Sequence, residues 1–262
     1  MVSRVGLSQR RSLLLRRLRV RKSRKKEALV LVEGVRAVTE ALDADADGRF
    51  AVTSPRLGQT SAGSALAKRI AATDLELHTI DAPELSALAD TEYPQGILLV
   101  CSEPRASLDL VEAGASVLVL DGVQDPGNTG TLVRASVAFG LDAVIALEGT
   151  ADPWAPKTVR ASAGTAFRIP VIQARLLDAV AVLQRAGVPL CVAAAVGEAV
   201  GGDLRRGGFA LIVGNEGAGV RDELRDAATS TVSIPMPGPA ESLNVGMAGS
   251  LLLYELTKES GA

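Results

Sequence analysis

Apolar positions in this chain fall into short continuous runs separated by amphipathic segments. Runs such as "EALVLVEG", "SVLVLDG" and "FALIVGNEG" contain four or more consecutive apolar residues, which is typical of strands buried in a parallel sheet. Between them, segments such as "VRAVTEAL", "SALAKRIAAT" and "ARLLDAVAVLQRAG" place apolar residues at helical spacing. The regular alternation of the two patterns predicts an α/β fold.

The alternation divides the chain into two series. Residues 1–105 predict a basic arm followed by a small α/β domain, and the segment "EPRASLDLVEAG" is expected to be a linker with a short helix. Residues 116–262 predict a second domain with denser strands. Its strand–helix–strand order predicts a parallel sheet with helices on both faces. The last helix is expected to begin at Leu243.

Composition narrows the function classes. The chain has 262 residues, of which 47% are hydrophobic, and no apolar run approaches the roughly 18 residues that span a bilayer. With no secretory signal pattern, we expect a cytoplasmic protein. Cys101 and Cys191 lie in apolar runs and are expected to be reduced core residues. One histidine and two cysteines make a zinc site built from these residue types very unfavourable, and no metal is expected.

Charge is distributed unevenly along the chain. Residues 1–26 hold 11 of the 28 Lys and Arg residues and none of the 30 Asp and Glu residues. A basic arm on an acidic body points to a polyanionic partner, with nucleic acid the leading candidate. Two other interpretations stay open, a solvated helix and a mitochondrial transit peptide, although the arm continues into "EALVLVEG" without a cleavage-like break.

The first segment with chemical potential is "LDGVQDPGNTGTLVRASVAFG", residues 120–140. A buried strand ends at Asp121, a Pro-Gly turn follows, and Asn128 stands where a helix would be capped. Arg134 lies about one and a half turns further on, among apolar neighbours. An arginine in such a helix is expected to face an anion or a carboxylate rather than open water.

The second segment, "FALIVGNEGAGV" at residues 209–220, is a strand that opens into a glycine loop. Parallel α/β sheets bind ligands at this edge. The spacing G-x-x-G-x-G differs from the dinucleotide fingerprint G-x-G-x-x-G, and no Walker lysine is present. Because the loop carries Glu216, we expect a ligand with positive charge or hydrogen-bond donors rather than a phosphate.

The third segment, "IPMPGPAESLNVGMAGSLLLYEL", runs from Ile234 to Leu256. Its three prolines block both sheet and helix, so the backbone after Ile234 is expected to be extended and rigid, with carbonyl and amide groups free for a ligand. Ser242 is positioned to cap the helix that follows.

Taken in this order, the three segments resemble the motifs of the SpoU/TrmH family, part of the SPOUT superfamily of S-adenosylmethionine-dependent RNA methyltransferases. The resemblance is close over residues 116–262 and weaker at "LVEGVRAVTEAL" and "YPQGILLV", which look like the substrate-binding domain, related to a ribosomal-protein fold, of many members. It implies a deep trefoil knot, an exception to the unknotted rule, which forms the methyl-donor pocket. It also implies a homodimer through the knotted domain.

The resemblance assigns roles at matching positions. Residues implied to bind the cofactor are Gly214, Asn215, Gly217, Ile234 and Leu243. Those implied to surround the methyl group and the target ribose are Asn128, Arg134, Glu216, Ser242 and Asn244. The chain departs from the family at Ala193–Ala195, where members often place a hydroxyl residue.

The activity implied is methylation of a ribose 2′-hydroxyl in RNA, with no membrane or metal involved. Ribosomal RNA, most of all 23S, is favoured over transfer RNA because of the front domain. A self-protecting antibiotic-resistance enzyme and a non-catalytic RNA-binding protein stay open, whereas the glycine spacing disfavours an oxidoreductase. Arg134 could act as a base, or it could clamp a phosphate as a protonated guanidinium.

Overall fold

The computed structural model describes residues 3–199, 208–239 and 242–258. The chain forms two compact units, one of Met1–Pro104 with Trp154–Arg168 and the other of Arg105–Pro153 with Ile169–Ala262. The main difference from the expected domain boundaries concerns residues 154–168. The sequence pattern assigns residues 154–168 to the second domain, whereas in the structure they pack into the first unit.

The first unit contains a mixed five-stranded sheet. Its strands are β1 (Ser3–Val5), β2 (Leu29–Glu33), β3 (Gly48–Thr53), β4 (Leu77–Thr79) and β5 (Ile97–Ser102). They lie in the order β1-β4-β3-β5-β2, with β4 parallel to β1 and β3, and β5 antiparallel to β2 and β3. The α-helices, numbered along the whole chain, are α1 (Gln9–Leu18), α2 (Arg21–Glu27), α3 (Val35–Asp43), α4 (Ser61–Ala71), α5 (Ala82–Leu88) and α7 (Pro156–Ala161).

The basic residues 1–26 are not a separate arm. Most of them form α1 and α2, and Leu15 and Leu18 of α1 are completely buried in the apolar core of the first unit, beside Leu31 and Phe50. Arg24 of α2 is also buried, and its guanidinium donates a hydrogen bond of 2.8 Å to the Leu18 carbonyl oxygen. Because basic residues surround Leu15 and Leu18 in the sequence, no apolar periodicity is visible there, and the pattern suggested an arm.

Polar contacts fasten residues 154–168 to the first unit. Arg160 donates to the Asp90 carboxylate at 2.9 Å, and its other terminal nitrogen lies 3.6 Å from the buried Glu33 carboxylate. Gly164 has a left-handed φ of +87° and lies so close to α3 that a Cβ would stand 2.6 Å from the Ala37 carbonyl oxygen. Only glycine satisfies both conditions without strain.

The described residues of the second unit form a six-stranded sheet, and all of the pairings among them are parallel, as predicted. Its strands are β6 (Ser116–Asp121), β7 (Ala143–Leu147), β8 (Val171–Ala174), β9 (Leu190–Ala199), β10 (Phe209–Gly214) and β11 (Ser230–Ser233), in the order β11-β9-β10-β6-β7-β8. Its helices are α6 (Pro126–Ala138), α8 (Leu176–Arg185), α9 (Asp222–Asp226) and α10 (Val245–Thr257).

Both cysteines are free and buried, as predicted. Burial, with a smaller contribution from the Asp47 charge, raises the pKa of the Cys101 thiol to about 12, and burial also raises the pKa of Cys191. These thiols are therefore protonated core groups at neutral pH. Among the described helices, none has both the length and the apolar character needed to cross a membrane.

Candidate functional site

The second unit contains a cavity of about 540 Å³ near the carboxyl end of β10. Three stretches of chain form most of its wall: residues of β9, the loop after β10, and the segment between β11 and α10. Its lining includes Ala193, Ala194, Ala195, Val213, Gly214, Asn215, Glu216, Gly217, Gly219, Arg225, Ile234, Met236, Ser242, Leu243, Asn244, Ala248 and Leu252. The site lies where parallel α/β sheets bind ligands.

The loop after β10 folds back on itself. Asn215 and Gly219 form an antiparallel bridge in which each amide donates to the other's carbonyl at 2.9 Å. A Cβ on Gly214 would overlap the Gly219 carbonyl and the Val220 amide nitrogen. Gly214 lines the cavity as predicted, but the close approach that excludes a side chain is made by the chain's own backbone.

Side chains fix the same loop to β6. Asn215 donates to the Gly122 carbonyl at 2.9 Å, and its side-chain oxygen accepts from the amides of Gly217 and Ala218, both at 2.9 Å. The buried Asp121 carboxylate accepts from the backbone amide of Arg221 at 2.8 Å and from its guanidinium at 2.6 Å. The end of β6 and the loop after β10 are therefore held as one structure.

Three predicted residues form a hydrogen-bonded chain. The Asn128 amide nitrogen donates to Glu216 at 3.0 Å, and the Asn244 amide nitrogen donates to the Asn128 side-chain oxygen at 2.9 Å. The side-chain oxygen of Asn244 in turn accepts from the Met247 amide at 3.2 Å. Residues from three distant segments thus meet, which the sequence order alone did not show.

The Glu216 carboxylate also accepts from the backbone amides of Gln124 at 3.2 Å and Asp125 at 3.3 Å. Partial burial by itself raises the pKa of this carboxyl, but the hydrogen bonds from Asn128 and from backbone amides outweigh it, so the pKa lies below its ordinary value. Glu216 is therefore ionised at neutral pH, and its oxygens accept hydrogen bonds from the segment 124–128.

Both helix starts differ from the prediction. Asp125 caps α6 by accepting from the Asn128 amide at 2.9 Å, so Asn128 lies inside the helix and its side chain is free to bond Glu216. Asn244 rather than Ser242 caps α10, which begins at Val245. In each case the capping residue lies within three positions of the one predicted, because several polar residues near the helix start can accept from its free amides.

Glycines allow α10 to approach α6 closely. A Cβ on Gly246 would stand 3.2 Å from the Asn128 side-chain oxygen, and one on Gly249 would overlap the end of the Leu132 side chain. Both glycines are buried. The sequence "VGMAGSLLLYEL" therefore places small residues where α10 meets α6 and holds Asn244 against Asn128.

Arg134 stands apart from the other predicted residues. Its side chain is exposed and does not line the cavity, and among the described residues it has no hydrogen bond or ion pair. Arg134 therefore meets no carboxylate among the described residues, and its expected contact with an anion of the substrate stays a prediction. Eight of the ten predicted residues line the cavity: Gly214, Asn215, Glu216, Gly217, Ile234, Ser242, Leu243 and Asn244. Asn128 joins them through its hydrogen bonds.

Sequence reasoning missed several contributors. Arg225 of α9 lines the cavity, as do Val213, Met236, Ala248 and Leu252. The Asp121–Arg221 pair was also missed. The polar sequence "VRDELR" directly after the glycine loop was the available signal for both arginines, since it lies next to the edge of the sheet where ligands bind.

The cavity suits S-adenosylmethionine by size and chemistry. Its volume lies within the range of small-molecule sites, roughly 300–1,000 Å³. Apolar and small side chains from β9, β10 and α10 offer a surface for an adenosine, while Glu216 and Arg225 offer one charge of each sign to a ligand that carries both signs. No group of three or more potential metal ligands occurs among the described residues.

Comparisons with known proteins identify the family of the chain. Residues 115–254 match the model of the SpoU rRNA methylase family, and residues 14–99 match an MRM3-like substrate-binding domain. The chain is 36% identical to the 23S rRNA (guanosine(2553)-2′-O)-methyltransferase RlmP of Bacillus subtilis, over 92% of this chain and 93% of that protein. It is 30% identical to the 23S rRNA (guanosine-2′-O-)-methyltransferase RlmB of Xanthomonas campestris, over 87% and 96%.

A solved structure extends the agreement to three dimensions. The rRNA methyltransferase of Sinorhizobium meliloti with bound S-adenosylmethionine superposes with a TM-score of 0.82 at 27% identity, covering 97% of each chain. The methyl donor of such enzymes is S-adenosylmethionine, and the cavity near the end of β10 suits this ligand in size and charge. The protein is an S-adenosylmethionine-dependent methyltransferase, and the chain belongs to the SpoU rRNA methylase family.

Proposed function

We propose that the protein transfers the methyl group of S-adenosylmethionine to the ribose 2′-hydroxyl of a guanosine in 23S ribosomal RNA. Two relatives with this activity match the chain at 36% and 30% identity over nearly its full length. The observation that carries the proposal is the Glu216–Asn128–Asn244 hydrogen-bonded chain at the edge of a cavity that fits the donor. We expect the protein to work in the cytoplasm, which contains ribosomal RNA and keeps cysteines such as Cys101 and Cys191 reduced.

S-adenosylmethionine supplies a methyl group that its sulfonium already activates. The protein's task is then to bind the donor, align the ribose hydroxyl and manage one proton. Glu216 is a poor candidate for the base, because hydrogen bonds lower its pKa and occupy its oxygens. Its role in this proposal is to hold Asn128, while Ser242, which is exposed at the cavity wall, contacts the RNA.

Arg134 acts in this proposal as a phosphate clamp. A guanidinium stays protonated at every physiological pH, so it cannot readily accept the ribose proton. It can hold a phosphate through two parallel hydrogen bonds and lower the pKa of the neighbouring hydroxyl. The exposed side chain of Arg134, which has no ion pair among the described residues, is available for such a contact.

We further propose that the second unit is knotted and that the first resembles a ribosomal-protein fold. Support for the knot comes from α10, which follows the edge strand β11 and yet packs against α6 and β10 near the middle of the sheet. An experimental structure with the backbone traced through residues 200–241 tests the knot. A chain that passes outside the loops would contradict it.

We also propose that the protein is a homodimer through the second unit. Met247, Leu251 and Tyr254 lie along one face of α10 and are 54%, 42% and 49% exposed, and a helix face with this many apolar residues is expected to be covered. Light scattering should give twice the chain mass for the wild type and the chain mass for Leu251→Lys with Tyr254→Lys. A monomeric wild type at micromolar concentration would contradict the proposal.

Methylation mapping tests the function directly. 23S rRNA from a strain lacking the gene should have lost one 2′-O-methyl guanosine, and purified protein with radiolabelled donor should restore it on that RNA. Loss of a methylated uridine, or of a transfer RNA methylation, would contradict the guanosine or the 23S assignment. The Glu216→Ala variant should fail to restore the modification although it is expressed and folded.

A further inference from the structure

Arg225 is a charged residue at the donor cavity to which neither the sequence motifs nor the family resemblance assigns a role. It belongs to α9, which follows the glycine loop, and it supplies the one positive side chain among the described residues that line the cavity. The only other charge in that lining is Glu216. The other described residues of the wall are apolar or uncharged, so among them Arg225 decides where a negative group of a ligand can bind.

The guanidinium of Arg225 is held beside the loop but is not neutralised there. A terminal nitrogen lies over Gly219, at 3.1 Å from the position that a Cβ would take. Its ion-pair partner, Asp222, is 4.0 Å away and its side chain is 91% exposed. An exposed pair at this distance contributes little energy, so most of the hydrogen-bonding capacity of the guanidinium remains for a ligand.

S-adenosylmethionine carries its charges at one end. The adenosine is neutral, whereas the methionine part has a carboxylate, an ammonium and the sulfonium. An apolar wall suits the adenosine, and a ligand bound with its methionine end toward Arg225 pairs its negative group with the cation of the cavity. The opposite orientation would leave the carboxylate against uncharged wall and cost part of its solvation.

We propose that Arg225 binds the carboxylate of the methionine moiety of S-adenosylmethionine and thereby fixes the orientation of the donor in the cavity. Two parallel hydrogen bonds from a guanidinium to a carboxylate give geometric specificity as well as energy. Because Arg225 is half-exposed, with 53% of its side chain accessible, the gain is moderate, and it weakens with salt.

Calorimetry with two ligands isolates this contact. Decarboxylated S-adenosylmethionine keeps the adenosine, the sulfonium and the ammonium and lacks only the carboxylate. At low ionic strength, Arg225→Gln should weaken binding of S-adenosylmethionine roughly tenfold and change the affinity for the decarboxylated ligand less than about twofold. Arg225→Lys should recover part of the loss, since it restores the charge without the planar fork.

A matched control is Arg185→Gln, which removes an exposed arginine at the end of α8 and should change neither affinity. Equal weakening of both ligands by Arg225→Gln would mean that Arg225 only supports the loop through Gly219, and the proposal would be wrong. Unchanged binding of S-adenosylmethionine would also overturn it. The measurement uses no RNA, so its outcome is independent of the proposed rRNA substrate.

Discussion

The donor cavity and the basic helices α1 and α2 use polar residues in opposite ways. Around the cavity, polar side chains bond to one another: Asn128 to Glu216, and Asn244 to Asn128. On the two basic helices, many cations are exposed and have no ion pair among the described residues. These are Arg10, Arg16, Arg21, Lys22 and Lys26.

The cavity therefore depends on the arrangement of its side chains, whereas the surface of α1 and α2 depends on its total charge. Where side chains satisfy one another, one substitution disturbs several partners, and its effect should be large and insensitive to salt. Where exposed cations stand alone, each contributes a small interaction with a polyanion, and the effects should add and decline with salt.

Gly214→Val should abolish donor binding. The new side chain would overlap the backbone of Gly219 and Val220, so the glycine loop cannot close, and overpacking of this kind costs about 1–3 kcal/mol or more. Calorimetry with S-adenosylmethionine and thermal unfolding measure both effects. Gly58→Val in the first unit is the control, since a Cβ at Gly58 meets nothing within 4 Å. Normal donor affinity of the Gly214 variant would show that the loop is not part of the donor site.

Arg134→Lys should reduce methyl transfer roughly a hundredfold, because small misplacements of a reacting group can cost that much, while donor affinity should stay unchanged. Lysine retains the charge but lacks the fork that holds a phosphate at two points. Single-turnover rates and donor affinity of the two proteins decide this. A near-normal rate would leave charge alone as the requirement, and lost donor binding would place Arg134 in the cavity. Arg175→Lys, at an arginine that is 83% exposed, serves as the control.

Neutralising the exposed cations of α1 and α2 should weaken RNA binding and flatten its salt dependence. Each lost phosphate contact removes about 0.7–0.9 from the slope of log affinity against log salt. Deleting residues 1–26 is not a suitable test, since it would also remove Leu15 and Leu18 from the core. The variant is Arg16→Gln, Arg21→Gln and Lys22→Gln, and the charge-matched control is Arg105→Gln, Arg175→Gln and Arg185→Gln.

Filter binding over a range of salt concentrations, together with donor calorimetry, measures the outcome. The helix variant should lose affinity for RNA and keep its affinity for the donor. If the control triple weakens RNA binding equally, the effect reflects net charge alone, and the basic helices have no special part in binding RNA.

The sequence predicted the strands well because a buried parallel strand is a continuous apolar run, as at β6 and β10. It predicted Asn215, Glu216 and Gly217 at the cavity because a loop at the carboxyl end of such a strand faces the ligand edge. The helices α1 and α2 were harder to predict. Two fully buried leucines among the eleven basic residues of positions 1–26 produce almost no periodic signal.

The hydrogen-bonding partners could not be predicted from spacing at all. Asn128 and Glu216 are 88 positions apart, and Asn128 and Asn244 are 116 apart. Their meeting depends on the strand order and on the close approach of α10 to α6, which Gly246 permits. For the same reason the sequence could not show what a side chain at Gly214 would contact. The cofactor was expected at that position, whereas the folded chain places the backbone of Gly219 and Val220 there.

The smallest expected effect is on the pH dependence of stability at Glu216. Its pKa in the folded protein lies below the ordinary value of 4.5, because hydrogen bonds from Asn128 and from backbone amides outweigh the opposing effect of burial. A carboxyl whose pKa is lowered on folding stabilises the protein above its unfolded pKa, and this stabilisation is lost as the pH falls through the folded pKa.

Wild type should therefore unfold at a higher temperature than Glu216→Gln at pH 6–7, by a small margin because Glu216 is exposed. The margin should shrink steadily below about pH 4.5. Glu223→Gln on α9, where the carboxylate is exposed and outside the cavity lining, is the control and should show no such trend. A margin that is constant with pH, or that widens in acid, would mean that the hydrogen bonds from Asn128 and the backbone amides do not favour the ionised carboxylate of Glu216.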